Sequence, residues 1–328
     1  MQDPSRQEFA ASMLRCPQCG STLRFSQAEH RAYCNHERGN CSIERGFPLI
    51  NGQPALVVFE RSVLEETAIV AAAGRSPIAR SKPGRLLRAA IRKLLAALTG
   101  ANPVAESNGR RLLEEMQKLS SRPILLNVGG ATVGSGAAAL RKDAENVRVL
   151  SFDIYASAET DFIADAHDIP LPDASIDCVW IQAVLEHVID PERVVAEIHR
   201  VLKPGGLVYA EIPFMQTVHE EAYDFTRFTD TGVRWLFRRF DRIGSGVVLG
   251  PGRALLWSIR ATLGGVLRSR KLGDLVGTLF FFWVRFLDLL IPTPYALDAA
   301  CGLYFFGRKV EMTVSPKEVI RGFQGVRA

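Results

Sequence analysis

Three groups of side chains in this sequence have types and spacing suited to chemistry. The first is His219, Asp224 and Arg227, within His219-Glu220-Glu221-Ala222-Tyr223-Asp224-Phe225-Thr226-Arg227. A histidine titrates near neutrality and can take a proton from a hydroxyl or an amine. Asp224 can orient it or bind substrate, and Arg227 can pair with a phosphate or a carboxylate. The same residues also fit a plain structural role, an Asp224–Arg227 ion pair holding a loop with His219 at the surface. The second group is a glycine-rich turn, Gly129, Gly130, Gly134 and Gly136, after the apolar run Ile124 to Val128. Asp153 ends the next apolar run, at the roughly 20-residue spacing where a carboxylate accepts the two hydroxyls of a ribose. The third group is four cysteines, Cys16, Cys19, Cys34 and Cys41. Cys16-Pro17-Gln18-Cys19-Gly20 is a knuckle in which two thiolates can grip one ion, and Gly20 allows the tight turn. Cys34 and Cys41 complete a tetrahedral set for zinc, with His36 as a substitute for one of them.

These groups need elements to hold them. Ile124 to Val128 reads as a first strand and the run ending at Asp153 as a second. Asp161 to Asp165 is a short third strand, which sets Asp165 and Ala166 at a strand end beside a bound adenine. Asp177 to Ile181 is apolar enough to be buried on both faces. Asp190-Pro191-Glu192 then starts a helix, with an aspartate N-cap, a proline in the first turn and an acid that suits the dipole. That helix stops at Lys203-Pro204-Gly205-Gly206, and Leu207 to Ile212 is the fifth strand. Thr229 to Phe240 reads as a helix, Arg242 to Leu249 as the sixth strand and Cys301 to Arg308 as the last. Strands alternating with helices build an open, mostly parallel sheet, which binds ligands at its carboxyl edge. The fold class is therefore α/β, Rossmann-like, with seven strands, a small N-terminal β module of zinc-ribbon type and a helical insertion before the last strand.

The chain has 328 residues, 47% of them apolar, and a net charge of +5. Between Arg75 and Lys93 lie seven basic residues and no acidic one. Arg85 to Leu98 repeats leucine at helical spacing, with Arg85, Arg88, Arg92 and Lys93 opposite. Such a helix can lie on an anionic membrane or on nucleic acid, or dock on the protein with a solvated basic face. The N-terminus shows no apolar signal core, which predicts a cytoplasmic protein. Clustered cysteines in that compartment point to metal before disulfides. Between the sixth and last strands, Ala254 to Leu267 and Leu275 to Ile291 read as helices. The second carries Arg285 and Asp288 and is short for a membrane span. A helical hairpin over the site, or one dipping into a leaflet with Trp257 and Trp283 at the interface, fits better. The predicted domains are a module over 1–60, a basic helical linker over 61–122 and a main domain over 123–310. The insertion occupies 251–298 and a loose tail 311–328.

The run Asp165 to Pro213 resembles the class I S-adenosylmethionine-dependent methyltransferases, in particular the broad type 11 group. The matching residues are Asp165-Ala166, Ile169-Pro170-Leu171-Pro172-Asp173, Asp177, Val184-Leu185-Glu186-His187-Val188, Asp190-Pro191 and Arg200-Val201-Leu202-Lys203-Pro204-Gly205-Gly206. The resemblance implies that Asn127, Gly129, Asp153, Asp165, Ala166 and Gln182 contact the cofactor, with Gly130 and Gly134 in the same turn. Asn127 stands where the family usually has an acid, and the turn is longer than the family's. Leu14-Arg15-Cys16-Pro17-Gln18-Cys19 and Gly46 to Val57 are similar to the small zinc-ribbon partners of tRNA methyltransferases. The run from His219 to Thr229 resembles methyltransferases of cell-envelope sugar pathways. The implied activity is methyl transfer to a saccharide or lipid-linked small substrate, with S-adenosylmethionine and zinc as cofactors and the inner face of a membrane as a surface partner. RNA as the acceptor, or a catalytically silent membrane scaffold, are the alternatives. The phenylalanine-rich insertion weighs against nucleic acid.

Overall fold

The computed structural model describes residues 4–36, 41, 45–75, 102–132 and 146–327. The basic helix expected over 85–98 and the turn residues 133–136, Gly134 and Gly136 among them, lie outside the described residues. The strands are β1 (Leu23–Ser26), β2 (Arg31–Cys34), β3 (Phe47–Ile50), β4 (Gln53–Leu56), β5 (Ile124–Val128), β6 (Arg148–Asp153), β7 (Phe162–Ala164), β8 (Ile176–Gln182), β9 (Leu202–Pro213), β10 (Phe240–Leu249) and β11 (Gly302–Lys309). They form one sheet in the order β1-β2-β3-β4-β7-β6-β5-β8-β9-β11-β10.

The stretch from β4 to β9 is parallel, β11 is antiparallel to both β9 and β10, and β1 to β4 form an antiparallel meander. The expectation of a seven-stranded sheet is corrected here: among the described residues the sheet has eleven strands, and the four N-terminal ones extend it. Strand β7 has only three residues and would otherwise expose an unpaired edge. Strand β4 covers that edge in parallel, with Ala55 opposite Ile163 and Leu56 opposite Ala164. Hairpin β3–β4 turns at Asn51 and Gly52, both at positive φ (52° and 80°), as a two-residue primed turn requires.

The helices are α1 (Pro4–Met13), α2 (Glu66–Ala71), α3 (Pro103–Leu119), α4 (Pro191–Val201), α5 (Asp230–Leu236), α6 (Pro251–Val266), α7 (Arg270–Phe281), α8 (Thr293–Asp298) and α9 (Pro316–Arg321). Helix α3 starts at Pro103, well before the Arg110 expected, because Asn102 caps it by accepting from the Ala105 N–H at 3.0 Å. Its Leu112, Leu113 and Met116 pack on Leu125, Trp180, Tyr209 and Phe306 of the sheet. On the opposite face, Val194, Val195, Ile198 and Val201 of α4 join the larger core. The expected loose tail instead contains α9, closed by a Ser315–Glu318 capping box, with Val319 buried. The insertion is helical as expected, and among the described residues no helix is long and apolar enough to cross a membrane.

Candidate functional site

A cavity of about 500 Å³ opens at the carboxyl edge of the parallel strands. That is where an open α/β sheet places its ligand. Its wall includes Gly129, Asp153, Asp165, Ala166, Gln182 and His219. Five of the eight residues expected to hold a cofactor thus meet in one cavity with the histidine expected to handle a proton.

Gly129 follows β5 with φ at +74°, and a Cβ there would meet the Val184 side chain at 2.2 Å. Both facts require glycine. Asn127 and Gly130 stand behind the cavity wall rather than in it. Asn127 is buried and its amide points to the Ser151 hydroxyl at 3.4 Å. A Cβ on Gly130 would strike that hydroxyl at 2.0 Å. The Asp153 carboxylate accepts from the backbone N–H groups of Ala131 (3.0 Å) and Ile154 (2.7 Å), which fixes its orientation.

Asp165 directly follows β7 and is almost fully buried. One oxygen accepts from the His167 backbone N–H at 3.0 Å and contacts the His167 ring nitrogen Nδ1 at 2.5 Å; the other accepts from the Ser62 hydroxyl. Burial pushes this carboxyl up, but the hydrogen bonds from His167 and Ser62 outweigh it and hold it below the usual range.

Glu211, near the end of β9, was not singled out from the sequence. It is buried in the cavity wall and accepts from Tyr209 (2.6 Å), Gln182 (2.7 Å) and Asn102 (3.2 Å). Burial raises its carboxyl against those three donors. The sequence signal available was an acid inside an apolar strand run, Leu207 to Ile212.

The loop after β9 carries the expected catalytic residues. Arg227 clasps both oxygens of Asp224. Asp224 also accepts from the His219 backbone N–H at 2.8 Å, and its Oδ2 lies 3.4 Å from the His219 Nδ1. The ion pair expected as the structural alternative is therefore present. His219 lines the cavity, however, and Asp224 and Arg227 sit outside its wall and brace the loop. The His219 ring turns to Glu186, with Nε2 3.6 Å from Oε1. Burial lowers the His219 pKa, but the carboxylates of Glu186 and Asp224 overcome this and raise it. Glu220 and Glu221 hold φ near +58° and +56° in this loop, a conformation that costs about 1–2 kcal/mol for a residue with a Cβ. Trp257 of α6 reaches the His219 ring at 6.5 Å, and Arg270 of α7 donates to the Val218 carbonyl at 3.2 Å. The insertion thus packs against the cavity loop.

The four N-terminal cysteines converge: Cys16 and Cys41 sulfurs are 3.7 Å apart, Cys19 and Cys34 sulfurs 3.3 Å, and all four lie within 4.8 Å of one another. Tetrahedral zinc with Zn–S near 2.3 Å needs sulfur separations of about 3.8 Å, so the set fits zinc with small adjustments. His36 is not part of the group.

Residues 129–210 match the methyltransferase domain family. That match spans the sheet from the turn after β5 into β9. It is 52% identical over 44 residues to an uncharacterized 37.1 kDa protein in transposon TN4556 of Streptomyces fradiae, covering 13% of each chain. It is 43% identical over 67 residues to the ubiquinone/menaquinone biosynthesis C-methyltransferase UbiE of Saccharophagus degradans, covering 20% of this chain and 27% of that one. The chain thus spans little more than a quarter, at most, of these two relatives. Among solved structures, phosphoethanolamine N-methyltransferase 2 of Haemonchus contortus in complex with S-adenosyl-L-methionine is 16% identical with a TM-score of 0.40. That alignment covers 62% of this chain and 53% of the other.

Proposed function

We propose that this chain is an S-adenosylmethionine-dependent methyltransferase acting on a saccharide or lipid-linked small acceptor. The observation that carries the activity is the gathering of Gly129, Asp153, Asp165, Ala166 and Gln182 in the wall of one cavity with His219. The cofactor supplies a methyl group already activated on a sulfonium. The residues of this chain align donor and acceptor and accept a proton where needed. Asp153, fixed by two backbone amides, is set to accept from ribose hydroxyls. Gly129 lets the backbone approach the ligand, and Ala166 leaves room for a flat base. Asn127 cannot supply a charge to the ammonium of the methionine moiety. Glu211, a buried carboxylate in the same wall, can.

The lipid-linked acceptor is favoured by the insertion. Phe280, Trp283, Phe286, Leu289 and Leu290 are exposed on it, beside helices that pack on the His219 loop. An apolar surface rich in aromatic residues suits the edge of a bilayer. The cysteine cluster in this reading holds one zinc ion, which ties the β1–β2 hairpin to the segment around Cys41 at the far end of the sheet.

The test is transfer of labelled methyl from S-adenosylmethionine into three acceptor pools: lipid-linked saccharides in vesicles, water-soluble sugars, and RNA. Label in the vesicle fraction, with less in water-soluble sugars and none in RNA, is the expected result. Label in RNA alone would overturn the acceptor assignment, and no label with cofactor bound would favour a silent scaffold.

A further inference from the structure

Behind the cavity wall lies a carboxylate with no ordinary reason to be there. Glu186 is completely buried, and neither side-chain oxygen has a hydrogen-bond partner. An ionised carboxylate left without partners in the interior costs several kcal/mol. Two imidazoles converge on it. His187 Nε2 is 3.7 Å and His219 Nε2 3.6 Å from the same oxygen, Oε1. Both separations are too long for a hydrogen bond. They are close to the roughly 3.3–3.6 Å edge between ligand atoms held about 2.0–2.2 Å from a tetrahedral ion.

The far side of each ring is held as a metal ligand's would be. The His187 Nδ1–H donates to the Tyr223 carbonyl at 2.7 Å, which leaves Nε2 with its lone pair toward Glu186. The His219 Nδ1 faces Asp224, whose carboxylate is locked in place by Arg227. A carboxylate behind one histidine and a backbone carbonyl behind the other are the supports that fix ring orientation and raise ligand basicity. The segment is also pinned from behind, since the Phe225 N–H donates to the Glu186 carbonyl at 2.8 Å.

We infer that Glu186, His187 and His219 form a binding site for a first-row divalent metal ion of the zinc class. Two imidazoles and one carboxylate are a mixed N/O set that such ions take readily and magnesium does not. Both histidines line the cavity and Glu186 lies behind them, so the coordination position left over faces the cavity. With the ion bound, the His219 Nε2 is a ligand and not a base, and an acceptor hydroxyl in the cavity meets a Lewis acid in its place.

Metal content is read without any methyl transfer, so this inference and the methyltransferase reading fail separately. The experiment is titration of the purified full chain with cobalt(II), followed by absorption spectroscopy, with magnesium as a competitor. The wild type should take up one equivalent more than E186Q or H219N. That extra equivalent should give the visible d–d bands of four-coordinate cobalt(II) without the sulfur-to-cobalt charge transfer of the cysteine cluster. Asp224→Asn, which touches no metal, should weaken it about 10- to 100-fold. Equal uptake by the wild type and both folded variants would overturn the site, and so would displacement of the extra equivalent by magnesium.

Discussion

The hydroxyl of Ser62, just after β4, donates to the buried carboxylate of Asp165, directly after β7. These residues are 103 positions apart, yet they meet at the cavity edge. The N-terminal region is therefore part of the wall that shapes the site. Val63 lines the same cavity, and Gln53 of β4 donates to the carbonyls of Ser157 and Thr160 at 2.7 Å each.

Ser62→Ala removes one hydrogen bond to a buried carboxylate, worth about 1.5 kcal/mol at the low end for a charged partner. Calorimetry should show S-adenosylmethionine bound roughly tenfold more weakly, with melting temperature lowered by a few degrees. Unchanged affinity would show that the Ser62 contact does not shape the cofactor site.

Because β4 is hydrogen-bonded to β7, the cysteine cluster and the cavity are linked through the sheet. Cys19→Ser should release one zinc per chain and raise hydrogen exchange in β1 to β4. Cofactor binding should fall with it. Loss of zinc with cofactor affinity intact would separate the two.

Glu211→Gln keeps the shape of the side chain but removes its charge and sets an amide against donors from Tyr209, Gln182 and Asn102. One charge-assisted contact is worth about 1.5–3 kcal/mol. The variant should therefore lose roughly 10- to 100-fold in affinity for both S-adenosylmethionine and its demethylated product, since both carry the ammonium. A selective loss for one of them would place Glu211 elsewhere in the reaction.

His199 of α4 is buried against Phe240 and lies 3.2 Å from the Val310 carbonyl. Burial lowers its pKa, so the folded ring takes up a proton less readily than the unfolded one. The unfolded chain then binds the extra proton first. The stability this histidine supports is present above about pH 6.5 and is lost as pH falls below it. Thermal melts from pH 7.5 to 5.5 should decline more steeply for the wild type than for His199→Gln. Parallel declines would contradict the assignment.

Much of the half that carries the cavity was legible because its signals are local. Gly129 needs its positive φ, Asp153 ends a strand and Asp165 follows one, and Asp190-Pro191 caps a helix whatever surrounds it. The docking of β4 on β7 was not legible, because a strand edge three residues long leaves no pattern in sequence. The Asn51-Gly52 turn is a hairpin signal that the sequence reading passed over, and nothing in it says which sheet the hairpin joins. The family resemblance made Asn127 a ligand contact and put Gly130 in the same turn, whereas the packing sets both against Ser151. Glu186 and His187 were visible as a motif. Their convergence with His219 depends on a loop more than thirty residues later folding back over them.

The central claim is that the cavity holds S-adenosylmethionine through Asp153. Calorimetric titration of the wild type and Asp153→Ala, with the cofactor and its demethylated product, tests it most directly. The account predicts micromolar binding of both ligands to the wild type and a loss of at least tenfold for each in the variant, with both proteins folded. No binding to a folded wild type, or equal binding to both proteins, would contradict it.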